Sequence, residues 1–342
     1  MLRGLLMRAL GASLPQPRAD AISAVRRVLV LRHDAIGDML SSLGVIRALA
    51  SHGLHVDVVA SPANAPVLAR NPWGVGVHVA GAGLRARRAL ARSLAAGRYD
   101  AVVDGLVLKP GVNSRTARLL RASRAPVRVG TTGRAYAFLY THPVVTDLSA
   151  NHVEVLAALL GPFGIPPDVA LDPVPMPLGD AERAGAESWW GAHGQGRRLF
   201  VNLSASSAER RWPDERFSAV LRSLRAEHPS LHVAISGSPG DWPAAAAIAD
   251  AVGGRACTGS LRDAFSLLAA SDAVLTPDTS VAHAAAGFGV PSVVLTPAGN
   301  LRFAPWRAPA RLVVGRGSGV ESIGVEVVSA ALRKTLQPLV AG

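Results

Sequence analysis

The chain has 342 residues, one cysteine and a formal net charge of +12. Hydrophobic residues make up 49% of the sequence and charged residues 18%, which excludes a disordered chain and is typical of a globular protein. The length is typical of two domains. The lone Cys257 excludes an internal disulfide and a cysteine-based metal site.

The positive charge is concentrated in the first half of the chain. Residues 1–170 carry 20 Lys and Arg against 9 Asp and Glu, a net charge of +11, whereas residues 171–342 carry 16 against 15. This imbalance indicates an anionic partner for the first half, either a phosphorylated molecule or an acidic membrane surface. Nucleic acid is not an expected partner, because no zinc-finger spacing or RNA-recognition signature is visible.

Residues 1–26 are predicted to form an N-terminal extension. Arg3 and Arg8 interrupt its apolar run too early for a secretory signal, so the segment is either a weak interfacial anchor or a frayed end. No apolar stretch approaches the roughly 18 residues of a membrane span.

Strands and helices alternate from residue 27 onwards. The first array, residues 27–165, is predicted to contain strands at 26–32, 55–60, 99–105 and 127–130 and helices at 38–53, 84–97 and 114–123. A Pro- and Gly-rich linker is predicted at 166–180, and the pattern restarts over 181–342. We therefore expect an α/β protein with two Rossmann-like domains facing across a cleft, with ligands at the carboxyl ends of the strands.

The stretch LRHDAIGDML places Asp38 one residue after a glycine, where a strand turns into a helix. A carboxylate there would repel the phosphate that such turns often hold. Asp38 therefore either caps the helix or does chemistry as an unpaired carboxylate that takes a proton from a hydroxyl.

Three strand ends in the second array are candidate parts of a donor site. At residues 276–291, Pro277 is expected to end a strand, and Thr279 or Ser280 to cap the next helix, whose free amides suit a phosphate. The loop at 202–213 brings hydroxyls together with Arg210 and Arg211, which suits a pyrophosphate. At the third of these strand ends, after residues 231–238, Asp241 is a candidate for binding ribose hydroxyls. An ordinary capped helix and a solvated loop remain the alternatives.

Four stretches together resemble glycosyltransferase family 9, the ADP-heptose:lipopolysaccharide heptosyltransferases. They are VLVLRHDAIGDML, VVDGLVLKPGVNSRTARLL, LSASSAERRWPDERF and the long segment from Thr258 to Thr296 that contains TPDTSVAHAAAGFG. The resemblance implies the GT-B fold and an inverting reaction that needs neither a metal nor a cofactor. Leu43 and Gly44 depart from the Leu-Pro that the family usually has after its Gly-Asp.

The resemblance also implies roles for individual residues. Asp38 would be the general base on the acceptor hydroxyl, and Arg210, in place of the usual family lysine, would neutralise the leaving ADP. The donor-binding set implied by the motifs is Ser206, Ser207, Asp241, Asp278, Thr279, Ser280, Val281 and His283. The acceptor-binding set is Lys109, Arg115 and Arg118.

The expected function is transfer of a sugar, a heptose from ADP-heptose, onto a lipopolysaccharide core or related anionic glycan. The expected location is the cytoplasm, with peripheral contact with the inner membrane. Two alternatives remain open: a nucleotide-sugar 2-epimerase with the same architecture, and a non-catalytic nucleotide-sugar-binding protein.

Overall fold

In a computed structural model the chain divides into two compact units, residues 1–172 and 173–342. The structure describes residues 14–15, 21–106, 114–132, 137–147, 149–191 and 196–337. Most of the predicted N-terminal extension therefore lies outside the described residues. The division falls inside the predicted linker, but that segment is not irregular throughout, because Pro167–Ala170 form a 3-10 helix.

The first unit is built on a parallel six-stranded sheet. Its strands are β1 (Arg27–Arg32), β2 (His55–Ala60), β3 (Gly76–Val79), β4 (Ala101–Asp104), β5 (Val127–Thr131) and β6 (His142–Val144). Their order in the sheet is β3-β2-β1-β4-β5-β6. The helices are α1 (Ile36–Ser41), α2 (Leu43–Ser51), α3 (Gly83–Ala96), α4 (Ser114–Ser123) and α5 (His152–Ala157).

Continuous apolar runs explain why the central strands form. Five of the six residues of β1 are buried, as are five of six in β2, because parallel strands with helices on both faces have no solvent side. The helix predicted over 38–53 is two helices. Ser42 separates them, and its hydroxyl donates to the backbone carbonyl of Asp38 at 2.8 Å, a bond that commonly bends helices.

The second unit repeats this plan. Its strands are β7 (Arg198–Asn202), β8 (His232–Ser236), β9 (Arg255–Cys257), β10 (Ala273–Pro277), β11 (Ser292–Thr296) and β12 (Ala310–Val314), in the order β12-β11-β10-β7-β8-β9. The helices are α6 (Asp180–Gly191), α7 (Asp214–Glu227), α8 (Trp242–Val252), α9 (Leu261–Ala269), α10 (Ser280–Phe288) and α11 (Val325–Leu336).

The predicted α/β class with two Rossmann-like units is confirmed. In each unit the first and fourth strands lie side by side at the centre, which is where the order of the sheet reverses. Loops leaving the carboxyl ends at such a reversal are the usual ligand sites of open α/β sheets. Asp38 follows the end of β1, and Arg210 and Thr279 follow the ends of β7 and β10.

Candidate active site

Asp38 lies in the first turn of α1 and is not its N-cap. The N-cap is Ala35, which makes no side-chain capping bond. The interpretation of Asp38 as a cap is therefore wrong, although a carboxylate in a first turn still interacts favourably with the helix dipole. One fifth of the Asp38 side chain is exposed (20%), so a solute can reach it.

Two buried side chains pair with this carboxylate. The Oδ1 atom of Asp38 lies 3.5 Å from Nη2 of Arg32 and 3.4 Å from Nε2 of His152. Arg32 also donates from Nε to the backbone carbonyl of Asp38 at 2.8 Å. The prediction of an unpaired carboxylate is therefore wrong, because Asp38 is part of a buried polar cluster.

The cluster controls the charge of Asp38. Burial raises the pKa of this carboxyl, but the positive charge of Arg32 and the hydrogen bond with His152 oppose burial and outweigh it. A hydrogen bond with the Asp34 side chain acts in the same direction. The pKa is held well below its usual range, so Asp38 is ionised at neutral pH and able to accept a proton.

The turn between β1 and α1 is tied down by a second loop. Asn64 is fully buried, and its Nδ2 donates to the carbonyl oxygens of Arg32 at 2.9 Å and of Asp34 at 3.2 Å. Ser61 adds a bond from Oγ to the Asp34 carbonyl at 3.0 Å. These bonds satisfy backbone carbonyl groups of the turn and fix the backbone conformation just before Asp38.

Three residues of this site, Arg32, His152 and Asn64, were not predicted from the sequence. The available signal for Arg32 was a charged residue at the end of an otherwise apolar strand, since a fully buried arginine requires partners. His152 comes 120 residues after Arg32, and nothing in the spacing indicates their contact.

In the second unit, Arg210 and Arg211 have different surroundings. Nη1 of Arg210 lies 3.6 Å from Oδ2 of Asp278 and 3.5 Å from Oγ of Ser206, and 33% of the Arg210 side chain is exposed. Arg211 instead donates to the carboxylate of Asp241 and, at 3.0 Å, to that of Asp214. Arg210 is thus the arginine that borders the exposed serine loop, while Arg211 is engaged in two ion pairs.

Asp241 is occupied by contacts within its own unit. Its Oδ2 accepts from Oγ of Ser204 at 3.1 Å and from the backbone and side chain of Ser238, while Arg211 bonds Oδ1. Ser238 and Asp241 form a capping box ahead of α8. The carboxylate therefore joins the loop after β7 to the loop after β8, and the predicted ribose contact of Asp241 is not part of the site that we propose.

Thr279 caps α10, as one of the two sequence alternatives predicted. Its Oγ1 accepts from the Val281 amide at 3.3 Å, and its carbonyl accepts from the Ala282 amide at 3.1 Å. Two amides of the helix start are therefore satisfied internally and not free, contrary to expectation. The strand before it was predicted to end after residues 273–275, but it runs two residues further and includes Pro277 itself.

Asp278 lies between this strand and helix and is buried. Burial raises the pKa of this carboxyl. The nearby charge of Arg210, the hydrogen bond donated by Asn300 and the charge of His283 lower it by less, so the pKa stays above its usual value. Its contact with Arg210 indicates that Asp278 orients that side chain, and direct binding of the donor by Asp278 stays a prediction.

The remaining predicted donor residues differ in exposure. Ser206 and Ser207 are exposed on the loop after β7, Ser280 and His283 are half-buried on the first turn of α10, and Val281 is buried. Ser206, Arg210 and Asp278 are brought together, and His283 is close enough to Asp278 to affect its pKa.

A cavity of about 780 Å³ lies in the first unit between α3 and α4, beside the residues that follow β2 and β3. Six arginines line it: Arg87, Arg92, Arg115, Arg118, Arg121 and Arg124. Its lining among the described residues contains no acidic side chain, and Leu90 and Leu119 contribute apolar surface. The predicted acceptor residues Arg115 and Arg118 both line this cavity, whereas Lys109 lies outside the described residues.

Among the described residues, no group of three or more His, Cys, Asp or Glu is placed to hold a metal ion. No helix within the described part of the chain is both long and apolar enough to cross a membrane.

The sequence model of glycosyltransferase family 9 (heptosyltransferase) matches residues 87–319. The chain belongs to glycosyltransferase family 9. Solved structures agree with the GT-B fold of such glycosyltransferases. A family 9 glycosyl transferase from Veillonella parvula is 20% identical, with a TM-score of 0.79 over 94% of this chain and 99% of that one.

Two Escherichia coli glycosyltransferases are also similar in fold. ADP-heptose LPS heptosyltransferase II is 23% identical, with a TM-score of 0.74 over 91% of this chain and 98% of its own. Heptosyltransferase WaaC, solved with ADP, is 18% identical, with a TM-score of 0.72 over 90% and 99%. No curated protein sequence matches the chain.

One departure of this glycosyltransferase from the usual family pattern has a structural explanation. At Gly44, at the start of α2, a Cβ atom would lie 2.3 Å from the carbonyl oxygen of Ala170. Neither proline nor any other larger residue fits there while α2 packs against Pro167–Ala170. The glycine is therefore matched to the residues that follow α5 in this chain.

Proposed function

We propose that the protein is an inverting, metal-independent glycosyltransferase that moves a heptose from ADP-heptose onto a hydroxyl of a lipopolysaccharide core or related anionic glycan. The observation that carries the proposal is the ionised, partly exposed Asp38 carboxylate fixed beside Arg32 and His152 at the carboxyl end of β1. Family membership supplies the reaction class.

Asp38 would act as the general base. The acceptor O–H bond breaks, its proton goes to the Asp38 carboxylate, and the oxygen forms a bond to the anomeric carbon of the donor. The bond from that carbon to the diphosphate breaks on the opposite face, which inverts the configuration. Ionisation of Asp38 at neutral pH supports this role, because only the charged form can accept the proton.

Arg210 would stabilise the departing diphosphate. Its charge is permanent, and the side chain borders Ser206 on an exposed loop. A phosphate of the donor could therefore replace Asp278, which lies 3.6 Å away, as the partner of the guanidinium. The positive end of the α10 dipole, at Thr279 and Ser280, would favour the negative charge of the donor diphosphate. The ADP-linked donor is favoured because one structurally similar enzyme is an ADP-heptose LPS heptosyltransferase and another was solved with ADP.

The arginine-lined cavity supports an anionic acceptor. Six guanidinium groups around about 780 Å³ attract several negative charges, and the volume lies within the range of about 300–1,000 Å³ of ordinary ligand sites. The phosphate groups of a glycolipid would pair with the guanidinium groups of the cavity, and its apolar parts would contact Leu90 and Leu119. Peripheral contact with the inner face of the cytoplasmic membrane would follow from an acceptor that is embedded there.

The test is the Asp38→Asn variant, with the exposed Asp250→Asn on α8 as a matched control. We expect single-turnover heptose transfer to fall by roughly 100-fold or more in the first variant and to be unchanged in the second. Asp38→Asn also leaves buried Arg32 with a weaker partner, so we expect a loss of stability of about 1.5 to 3 kcal/mol. Transfer at the wild-type rate would remove Asp38 from the mechanism.

Donor choice is tested separately by thermal unfolding of the wild-type protein with ADP, UDP and GDP. A ligand that binds only the folded state raises the unfolding temperature in line with its affinity, and we expect ADP to do so most strongly. Stronger stabilisation by UDP would contradict the ADP-linked donor. Formation of an epimer from nucleotide sugar alone, without acceptor, would instead indicate an epimerase.

A further inference from the structure

His152 lies at the centre of the buried cluster and belongs to an element remote in sequence. Its Nε2 is 2.9 Å from Nη2 of Arg32 and 3.4 Å from Oδ1 of Asp38. Arg32 is fully buried, and only 4% of the His152 side chain is exposed. A titratable imidazole therefore touches the carboxylate that we propose as the base, while being almost out of contact with solvent.

The hydrogen-bonding chemistry of Arg32 constrains the state of this imidazole. A guanidinium can only donate, so a contact of 2.9 Å requires Nε2 of His152 to accept, which places the ring proton of the neutral form on Nδ1. In this state Nε2 carries no proton towards Oδ1 of Asp38, and only the protonated ring donates the hydrogen bond that lowers the pKa of that carboxyl. A protonated Nε2 would instead donate to that oxygen, so the same atom can serve in two protonation states.

Local structure holds the ring in this place. His152 is the first residue of α5, and Asn151 before it accepts from the Val153 amide at 3.0 Å while Glu154 accepts from the Asn151 amide at 3.0 Å. This capping box fixes the start of the helix. The capping box thus fixes the backbone from which the His152 side chain extends, independently of the contact with Asp38.

We propose that His152 is a positioning residue for Asp38 that also takes over the proton which Asp38 removes from the acceptor. After transfer, the proton leaves the carboxyl oxygen of Asp38 and binds Nε2 of His152, regenerating the carboxylate and forming an imidazolium. The inference rests on the proposed function. The separation of 3.4 Å between Oδ1 and Nε2 gives the proton a direct path, and the burial of His152 keeps that path almost out of contact with solvent.

The charged groups around His152 come from several elements. Arg32 ends β1, and Asp34 and Asp38 follow it, with Oδ2 of Asp34 lying 3.4 Å from Nη1 of Arg32. Arg47 on α2 and Asp168 in the 3-10 helix belong to segments packed against or close to α5. Two carboxylates beside Arg32 offset the charge that an imidazolium would add.

The first experiment is His152→Gln, assayed over a range of pH in the full-length protein. Glutamine can accept from Arg32, as the neutral imidazole does, but cannot take up a proton. We expect kcat to fall about 10- to 100-fold, by analogy with outer-shell residues that orient metal ligands, with the donor KM unchanged. The acid limb of the wild-type kcat profile should disappear, because protonation of His152 by solvent blocks the transfer. An unchanged kcat and profile would overturn the proposal.

A double-mutant cycle separates this role from a purely structural one. If His152 acts through Asp38, His152→Gln should cause no further loss of single-turnover rate in an Asp38→Asn background. Equal losses in both backgrounds would show that the histidine only stabilises the fold. Thermal unfolding of each variant with ADP checks that the donor site survives.

A measurement without catalysis distinguishes failure of this inference from failure of the proposed function. In the wild-type protein and the Asp38→Asn variant, the imidazole ¹⁵N resonances of His152 report the state of Nε2. We expect Asp38→Asn to move the Nε2 resonance, with His228 in the second unit unaffected. An unmoved resonance would overturn the pairing even if the protein transfers heptose, and a moved one would support it even if the substrate is another sugar.

Discussion

Two adjacent arginines illustrate how residues of the same type acquire different roles. We expect Arg210→Ala to lower kcat by roughly 100- to 1,000-fold, the cost of removing one group that stabilises developing negative charge. Arg211→Ala should leave kcat close to wild type and reduce stability by roughly 1 kcal/mol, because it breaks half-exposed ion pairs with Asp214 and Asp241. Steady-state kinetics and thermal unfolding of both variants make the comparison.

Arg210→Lys provides the control for charge, because lysine is the residue that the resemblance implies at this position in the family. We expect it to retain most of the activity. If Arg211→Ala lost as much kcat as Arg210→Ala, the assignment of the two arginines would be reversed. If Arg210→Lys were as poor as Arg210→Ala, the geometry of the guanidinium rather than its charge would be responsible.

At the scale of elements, the packing of α2 against Pro167–Ala170 depends on Gly44. We expect Gly44→Ala to destabilise the fold by about 1 to 3 kcal/mol, because the new Cβ would meet the rigid backbone oxygen of Ala170. Gly185 in α6 is the matched control, since a Cβ there meets nothing within 4 Å. Gly185→Ala should therefore stabilise by roughly 0.5 to 1 kcal/mol through helix propensity. Denaturant unfolding of both variants measures the contrast.

A second element-scale prediction concerns Asp57 on β2. The nearby His78, whose Nε2 lies 3.9 Å from Oδ2 of Asp57, lowers the pKa of this carboxyl to about 2, helped by the hydrogen bond that the Tyr99 hydroxyl donates at 2.6 Å and opposed by burial. Because the folded pKa lies below the unfolded value of about 3.9, the charged form stabilises the fold above pH 4, and this stability is lost as pH falls towards 2. The contribution at neutral pH is about 2 kcal/mol.

We test this by comparing the free energy of unfolding of wild type and Asp57→Asn between pH 7 and pH 2. The difference should be largest at neutral pH and shrink below pH 4. A difference that is constant over this range would mean that Asp57 contributes through packing alone. Tyr99→Phe, which removes one hydrogen bond to Asp57, should shift the same transition upwards in pH by a smaller amount.

The sequence predicted the central strands and most helices because their apolar runs and caps are local signals. The edge strands β3, β6, β9 and β12 were not predicted, because each is short or half-exposed and lacks a continuous apolar run. The site was predictable only where its signal was local. Asp38 and the cap at Thr279 could be located from local patterns. The contact of His152 with Arg32 and Asp38 could not, because His152 lies 120 residues after Arg32 and only the fold brings them together.

For the whole molecule, the uneven charge of the two halves has a structural counterpart. The first half carries the excess of +11, and six of its arginines line the cavity between α3 and α4. Arg115 donates to the carbonyl of Ala80 at 2.6 Å, so one of its hydrogen-bond donors stabilises the fold and does not face a ligand. Arg118 and Arg121 are exposed on α4 and are the better test of attraction to anionic partners.

We expect the full-length protein to bind vesicles that contain anionic phospholipid and to release them as salt is raised. Replacing Arg118 and Arg121 together by alanine should weaken binding by about 2 kcal/mol, on the order of 30-fold, since each basic group near such a surface contributes about 1 kcal/mol. The matched control replaces Arg222 and Arg311, which are exposed in the second unit, and removes the same charge. Cosedimentation with anionic and zwitterionic vesicles measures both pairs. Equal losses in the two double variants would mean that net charge, rather than the arginines of α4, governs attraction, and the acceptor cavity would lose its electrostatic support.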